Sequence, residues 1–224
     1  MFLHIFQKVG KSTSLRIGAS MLQIIAILVM TQRHQHFQSI YNIPTTPTKC
    51  GPVPDLRFGY TPEAIYEFLD LIEESGRKFY LEQMVLWDLF PYMEAYTITL
   101  GWLLWKELEK SSFFSEERKH RLIIMVPFIM GCDIIETVSI GYATKVFPDR
   151  VGDHWISVSS IANQLKWVLF GGSTILLSCL FVSNYFLNRM WKEGEGNDND
   201  GDSGTGTDTQ TDKTKSGKGE KKTN

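Results

Sequence analysis

The sequence predicts an all-α protein: a polytopic membrane bundle of four spans, with a short amphipathic surface helix and a disordered C-terminal tail. Three observations lead there. Four apolar stretches occupy residues 15–30, 84–105, 122–147 and 156–186. The last three reach the roughly 20 residues that a helix needs to cross about 30 Å of hydrocarbon at 1.5 Å per residue. Hydropathy is also segregated. Its mean over 224 residues is only −0.12, but 193–224 contains nothing except Gly, Asp, Glu, Asn, Gln, Ser, Thr and Lys. All of the hydrophobic residues, 43% of the chain, therefore precede that tail. Finally, Trp102, Trp105, Trp155, Tyr185 and Trp191 stand at the ends of apolar segments, where an amphipathic ring can bridge lipid and water. A soluble helix would show a polar face at every turn, and 175–182 (ILLSCLFV) has almost none.

In chain order, 1–14 is a basic segment carrying Lys8 and Lys11, and 15–31 is the first span. No acidic residue precedes Asp55, a composition shared with targeting sequences. A cleaved segment that leaves three spans is thus the alternative to a retained one. No small-x-small site follows Met30, which favours retention. Residues 32–83 read as a loop, stiffened by Pro44, Pro47, Pro52 and Pro54, that carries an amphipathic helix at 62–75. Thr61 is its N-cap and Pro62 its first helical residue. Ile65, Phe68, Leu69 and Ile72 make a stripe at helical spacing opposite Glu63, Glu67, Asp70 and Glu74, and Ser75-Gly76 offers a stop. An acidic face is not one that anionic lipid attracts, so this helix is expected to dock on protein. Residues 84–189 form a three-span bundle in which Pro91 and Pro127 each remove a hydrogen bond and kink their helices. Gly141, Gly171 and Gly172 permit close helix approach. The tail, 190–224, has nothing to bury and is expected to stay disordered.

Charge narrows the partners. The whole chain carries −2. Its tail holds eight acidic and five basic residues, which leaves the body near +1. There is no electrostatic case for nucleic acid; the expected partners are the lipid bilayer and other membrane proteins. Cys50, Cys132 and Cys179 have no metal-binding spacing, and the five histidines are scattered, so no metal or other cofactor is expected. Basic residues cluster before the first span (Lys8, Lys11, Arg16), in the second loop (Lys106, Lys110, Arg118, Lys119, Arg121) and after the last span (Arg189, Lys192). The positive-inside rule then places both termini inside. An endomembrane or plasma membrane is expected, with an organelle membrane as the alternative that the acid-free N-terminus suggests.

The residues that could carry chemistry are ionisable ones inside the spans: Asp88 and Glu94 in the second, Asp133 and Glu136 in the third, Lys166 in the fourth. Each adds roughly 2.5–3.5 kcal/mol to insertion at a helix centre, so they should face inward, paired, hydrated or protonated. Asp133 and Glu136 are three apart and share a helix face. Asn163 lies three before Lys166, with Ser159 and Ser173 seven to either side, so the fourth helix carries one polar stripe. Asp88, Glu136 and Lys166 fall at one depth. Glu94, six residues from Asp88, points elsewhere. The preferred meaning is a buried ion-pair network that fixes helix register. A proton or cation pathway or a headgroup site comes second, since four acids against one lysine leave surplus carboxyls expected to hold protons. Catalysis by a carboxylate base comes last, because no nucleophile, phosphate loop or ligand set accompanies the acids.

Phe58-Gly59-Tyr60-Thr61-x-Glu63, Gly76-Arg77-x-x-Tyr80, Asp88-x-x-Pro91 and Asp133-x-x-Glu136 together resemble an uncharacterised family of small four-span integral membrane proteins. The likeness covers roughly 54–187 and implies a four-span core, with no activity attached. In that family Asn follows the last Glu, where this chain has Thr137. The expectation is a non-enzymatic assembly or interaction component built around a buried polar cluster. A small proton-linked transporter or lipid-binding protein is the alternative, with a membrane-embedded enzyme behind it.

Overall fold

The structure, a computed structural model, describes residues 1–41 and 53–197, and every regular element among them is helical. Cys50, the prolines at 44, 47 and 52, and the tail from 198 onward lie outside the described residues. The chain divides into two compact units, Met1–Asn184 and Tyr185–Asn224. Seven helices are used below: α1 (Phe2–Lys11), α2 (Thr13–Tyr41), α3 (Pro62–Leu71), α4 (Glu73–Phe79), α5 (Met93–Lys110), α6 (Glu116–Val146) and α7 (Asp153–Asn197).

Three helices are long and apolar enough to cross a membrane: Thr13–Tyr41, Glu116–Val146 and Asp153–Leu187. The stretch 84–105 differs from the continuous span that its composition suggested. Between α4 and α5 the chain passes through two π-helical stretches, Tyr80–Val85 and Asp88–Tyr92, and Phe90 leaves helical geometry with φ −156° and ψ 120°. The sequence supplies the cause. Proline pushes the residue before it out of the α region, and Pro91 lacks an N–H to donate. Pro127, by contrast, lies inside α6, which runs from Glu116 to Val146.

α5 therefore begins at Met93 and keeps 18 residues, about 27 Å at helical rise. Eleven of them are buried, because α1, α2 and α6 all pack on this helix. A helix enclosed by protein need not present a lipid-compatible surface, so α5 carries Glu94, Tyr96, Thr97 and Glu107 within its length. Trp102 and Trp105 are buried with it and do not form an outward-facing belt. Its core partners are Phe6 of α1, Ile123, Val126 and Ile129 of α6, and Leu180 of α7.

The N-terminal segment, read from sequence as a basic stretch before the first span, is itself helical, and the helix after it is longer than expected. Ser12, in extended conformation, separates α1 from α2, and α2 runs on to Tyr41, where a loop was expected from residue 32. α1 buries Phe6 and Val9. Its place on α5 depends on Gly101, where a Cβ would collide with the Phe6 ring.

One end of the bundle is covered by α3 and α4. Thr61 accepts a hydrogen bond from the Ala64 amide at 3.3 Å, and Ile65, Tyr66, Phe68, Leu69 and Ile72 pack with Phe37 of α2, Ile140 and Ala143 of α6 and Ile156 of α7. The helix expected over 62–75 breaks after Leu71, where Glu73 adopts φ 53°. It then continues past Gly76, which is no stop. Gly76 is buried in α4, and a Cβ there would meet the Tyr41 ring at 3.0 Å, so its missing side chain serves packing. Near the opposite end, Asn184 of α7 donates to the Glu107 carbonyl and carboxylate, both at 3.0 Å, and Lys110 pairs with Glu107 at 2.6 Å.

One outcome follows from these contacts. Phe6→Ala should undock α1 at a cost of about 3 kcal/mol or more, read as faster tryptic cleavage after Lys8 and Lys11 in detergent.

Candidate functional site

Helical spacing brings the polar residues of α6 and α7 face to face. Asp133, Glu136 and Thr137 occupy one side of α6, and Ser159, Asn163 and Lys166 one side of α7, with steps of three and four residues in each case. Lys166 is the hub. Its Nζ lies 2.8 Å from Asp133 Oδ1 and 2.5 Å from Glu136 Oε2, and the Asp133 and Glu136 side chains are 5% and 0% exposed. Each remaining carboxylate oxygen has a donor: the Tyr96 hydroxyl to Asp133 Oδ2 at 2.7 Å, and the Asn163 amide to Glu136 Oε1. Such saturation is what a buried charge needs, since withdrawing an ion from water costs several kcal/mol that only close, fully bonded partners repay.

A second strand of hydrogen bonds ties this hub to the cap. Ser159 donates to the Glu136 backbone carbonyl at 3.3 Å and shares a 2.7 Å hydrogen bond with the Tyr60 hydroxyl. The Tyr60 amide donates to Ser160 at 2.8 Å. Gly59, at φ 82°, brings Tyr60 in against α7; a Cβ there would strike the Gln164 side chain.

Of the six candidates drawn from sequence, Asp133, Glu136, Asn163 and Lys166 form this one cluster. Asp88 adjoins it through Thr137, whose hydroxyl donates to Asp88 Oδ2 at 2.9 Å. Glu94 stands apart in the first turn of α5, with a buried Oε2 that meets no hydrogen-bond donor among the described residues. Ser173, on the same stripe as Lys166, is buried with its hydroxyl likewise unmatched.

The cluster does not close on itself. Beside it lies a cleft of about 550 Å³ lined by Asp88, Asp133 and Lys166 together with Tyr92, Tyr96 and Trp167. That volume falls in the range of small-molecule sites, which are mostly apolar with a few convergent polar groups. The opposite wall belongs to α2, through Gln23, Thr31, His34 and Gln38 among others. These four recur at helical spacing, but positions beyond 31 read as loop in the sequence, so their shared face was missed. Tyr96 and Thr137 were missed for another reason: phenol and hydroxyl groups are as common on apolar helix faces as in polar sites. One signal existed, since Asp88, Tyr92 and Tyr96 follow at intervals of four. Cys132 is buried nearby as a free thiol, and Cys179 is free on the exposed face of α7.

Among the described residues, no three His, Cys, Asp or Glu side chains come together as a metal site would require. No family model, curated protein or solved structure matches the chain.

Lys166→Met strands two buried carboxylates and should destabilise the bundle by about 3–5 kcal/mol. Adding Glu136→Gln to Lys166→Met should recover part of that loss. Unfolding in mixed micelles, followed by circular dichroism across the double-mutant cycle, measures both.

Proposed function

We propose that this chain spans the bilayer four times, through α2, α5, α6 and α7, with both termini on the side that carries its basic clusters. It acts there as a non-enzymatic protein that takes an amphipathic ligand into the cleft beside Lys166. Support for the orientation comes from the hairpin. Gly10 of α1 lies against Trp105, so Lys8 and Lys11 sit near the end of α5 that carries Lys106 and Lys110, as a positive-inside arrangement requires.

One observation carries the ligand reading: Asp133 and Lys166, the most costly groups to place in a membrane, line a cleft although helix packing could have sealed them. A pair that served only to join two helices would need no cavity at its side. The apolar and aromatic lining supplies room for a tail, and the polar hub supplies partners for a head. Glu136 favours the second reading, an assembly component organised by the cluster, because its side chain is wholly enclosed by Lys166 and Asn163. Both roles are compatible, with Glu136 fastening α6 to α7 while Asp133 and Asp88 face the ligand. Proton-linked transport would draw on the same groups.

Lipid mass spectrometry after gentle purification tests the proposal. The parent chain should retain a defined amphiphile, and Ile27→Trp, which fills the cleft from α2, should lose it while keeping its melting temperature. A parent chain that retains no amphiphile, or an Ile27→Trp variant that retains the same one, would count against a ligand site.

A further inference from the structure

Away from the cleft, toward the other end of α5, we infer that the turn between α1 and α2 binds the headgroup of an anionic phospholipid. Two contacts fix where this turn stands. Gly10 of α1 lies against Trp105 of α5, and the Thr99 hydroxyl donates to the Ala19 carbonyl of α2 at 3.4 Å. Lys8, Lys11 and Arg16, which fall within nine residues of chain, are thereby gathered near Lys106 at the end where α5 stops. Lys8 and Lys11 are exposed, while Phe6 and Val9 of the same helix are buried, so α1 turns a basic face outward. The Arg16 guanidinium folds back toward the turn, where its Nη2 donates to Thr13 Oγ1 at 2.9 Å. Its Nε meets no acceptor among the described residues.

What these bases lack is a counter-charge. No acidic residue occurs before Asp55, so the hairpin cannot supply one. The carboxylates of the neighbouring helices are already committed: Glu107 to Lys110 at 2.6 Å, Glu116 to Lys119 at 2.9 Å and Glu117 to Arg121 at 2.5 Å. Among the described residues Lys8, Lys11 and Arg16 form no ion pair, and Glu109, exposed on α5, takes none of them as a partner. Like charges gathered at a membrane surface are relieved by an anion, and a guanidinium fork beside two ammonium groups suits the oxygens of a phosphate. The surface next to the turn says which phosphate. Ile17, Met21, Ile24 and Leu28 recur at helical spacing along α2, and each is more than half exposed. This apolar track begins one residue past Arg16. It suits acyl chains and offers nothing to a free phosphate. Basic groups at the end of a membrane helix, with apolar surface one step deeper, are the pattern that draws anionic lipid.

Native mass spectrometry tests the inference on the full chain, released from micelles that hold equal amounts of phosphatidylglycerol and phosphatidylcholine with the same acyl chains. Retained phosphatidylglycerol should exceed phosphatidylcholine by roughly tenfold. Neutralising the turn with Lys8→Gln, Lys11→Gln and Arg16→Gln together should bring the two lipids to parity. Lys78→Gln with Lys145→Gln, which removes charge from the cap end, should leave the excess as it was, and so should Ile27→Trp, which fills the cleft. Melting temperatures show that each fold is kept. If the triple variant melts early, Lys8→Gln with Lys11→Gln replaces it, with a loss of about threefold expected. Equal retention of the two lipids by the parent chain, or an excess that survives neutralisation, would overturn the site. An equal loss in the cap-end variant would reduce the effect to overall charge and overturn it as well. Loss in Ile27→Trp would overturn the turn in favour of the cleft, whereas a failure of the cleft to hold any ligand leaves this site untouched. Water-soluble glycerol phosphate displacing the lipid at equal concentration would overturn the acyl-chain contact.

Discussion

The ammonium of Lys166, held between two carboxylates of α6, is the constraint on which the rest of this bundle turns. A charge on a membrane-embedded helix has few options: it must reach water, find an opposite charge or give up its proton. Lys166 meets Asp133 and Glu136 at hydrogen-bond distance, and that contact fixes both the rotation and the depth of α7 against α6. Moving either helix by one residue would turn the polar stripe by about 100° and leave all three charges stranded. Asn163, Ser159 and Tyr96 then fill the remaining hydrogen-bonding positions, which makes the hub directional where apolar packing alone would not be.

The second determinant is the irregular entry to α5. Phe90 is extended before Pro91, so the chain that brings Asp88 to the bundle is displaced from the axis of the helix that follows. Asp88 and Tyr92 border the cleft from this segment, and α2 supplies the wall across from them. The core of α5 below is enclosed by α1, α2 and α6, and that enclosure lets so polar a helix occupy the centre of an apolar assembly.

The polar hub was legible in residue spacing to a large extent. Asp133 with Glu136, and Asn163 with Lys166, announce themselves because ionisable groups in long apolar runs have no neutral explanation. Glu94 met the same criterion yet stands apart, since sequence spacing gives its angle on the helix and not the identity of what faces it. Tyr96 and Thr137 lie in the hub but carry no comparable flag. Gly76 misled for a related reason: a glycine after a helical stripe looks like a terminator, whereas here its lack of a side chain admits the Tyr41 ring. The polar half of α2 read as loop because its stripe of Gln, Thr and His serves a cleft that exists only once three other helices stand opposite.

The sequence by itself determined that the chain is helical, that the stretches at 122–147 and 156–186 lie in helices apolar and long enough for a bilayer, and that Asp133, Glu136 and Lys166 belong inside. Those properties follow from hydropathy, helical periodicity and the cost of burying charge, all of which act locally along the chain. Tertiary structure alone decided that α5 is the enclosed helix, that Asp88 meets Thr137 of α6, and that a cleft lies beside the hub. Each of these depends on which surfaces meet across distant parts of the chain, and no local rule of propensity or spacing encodes that.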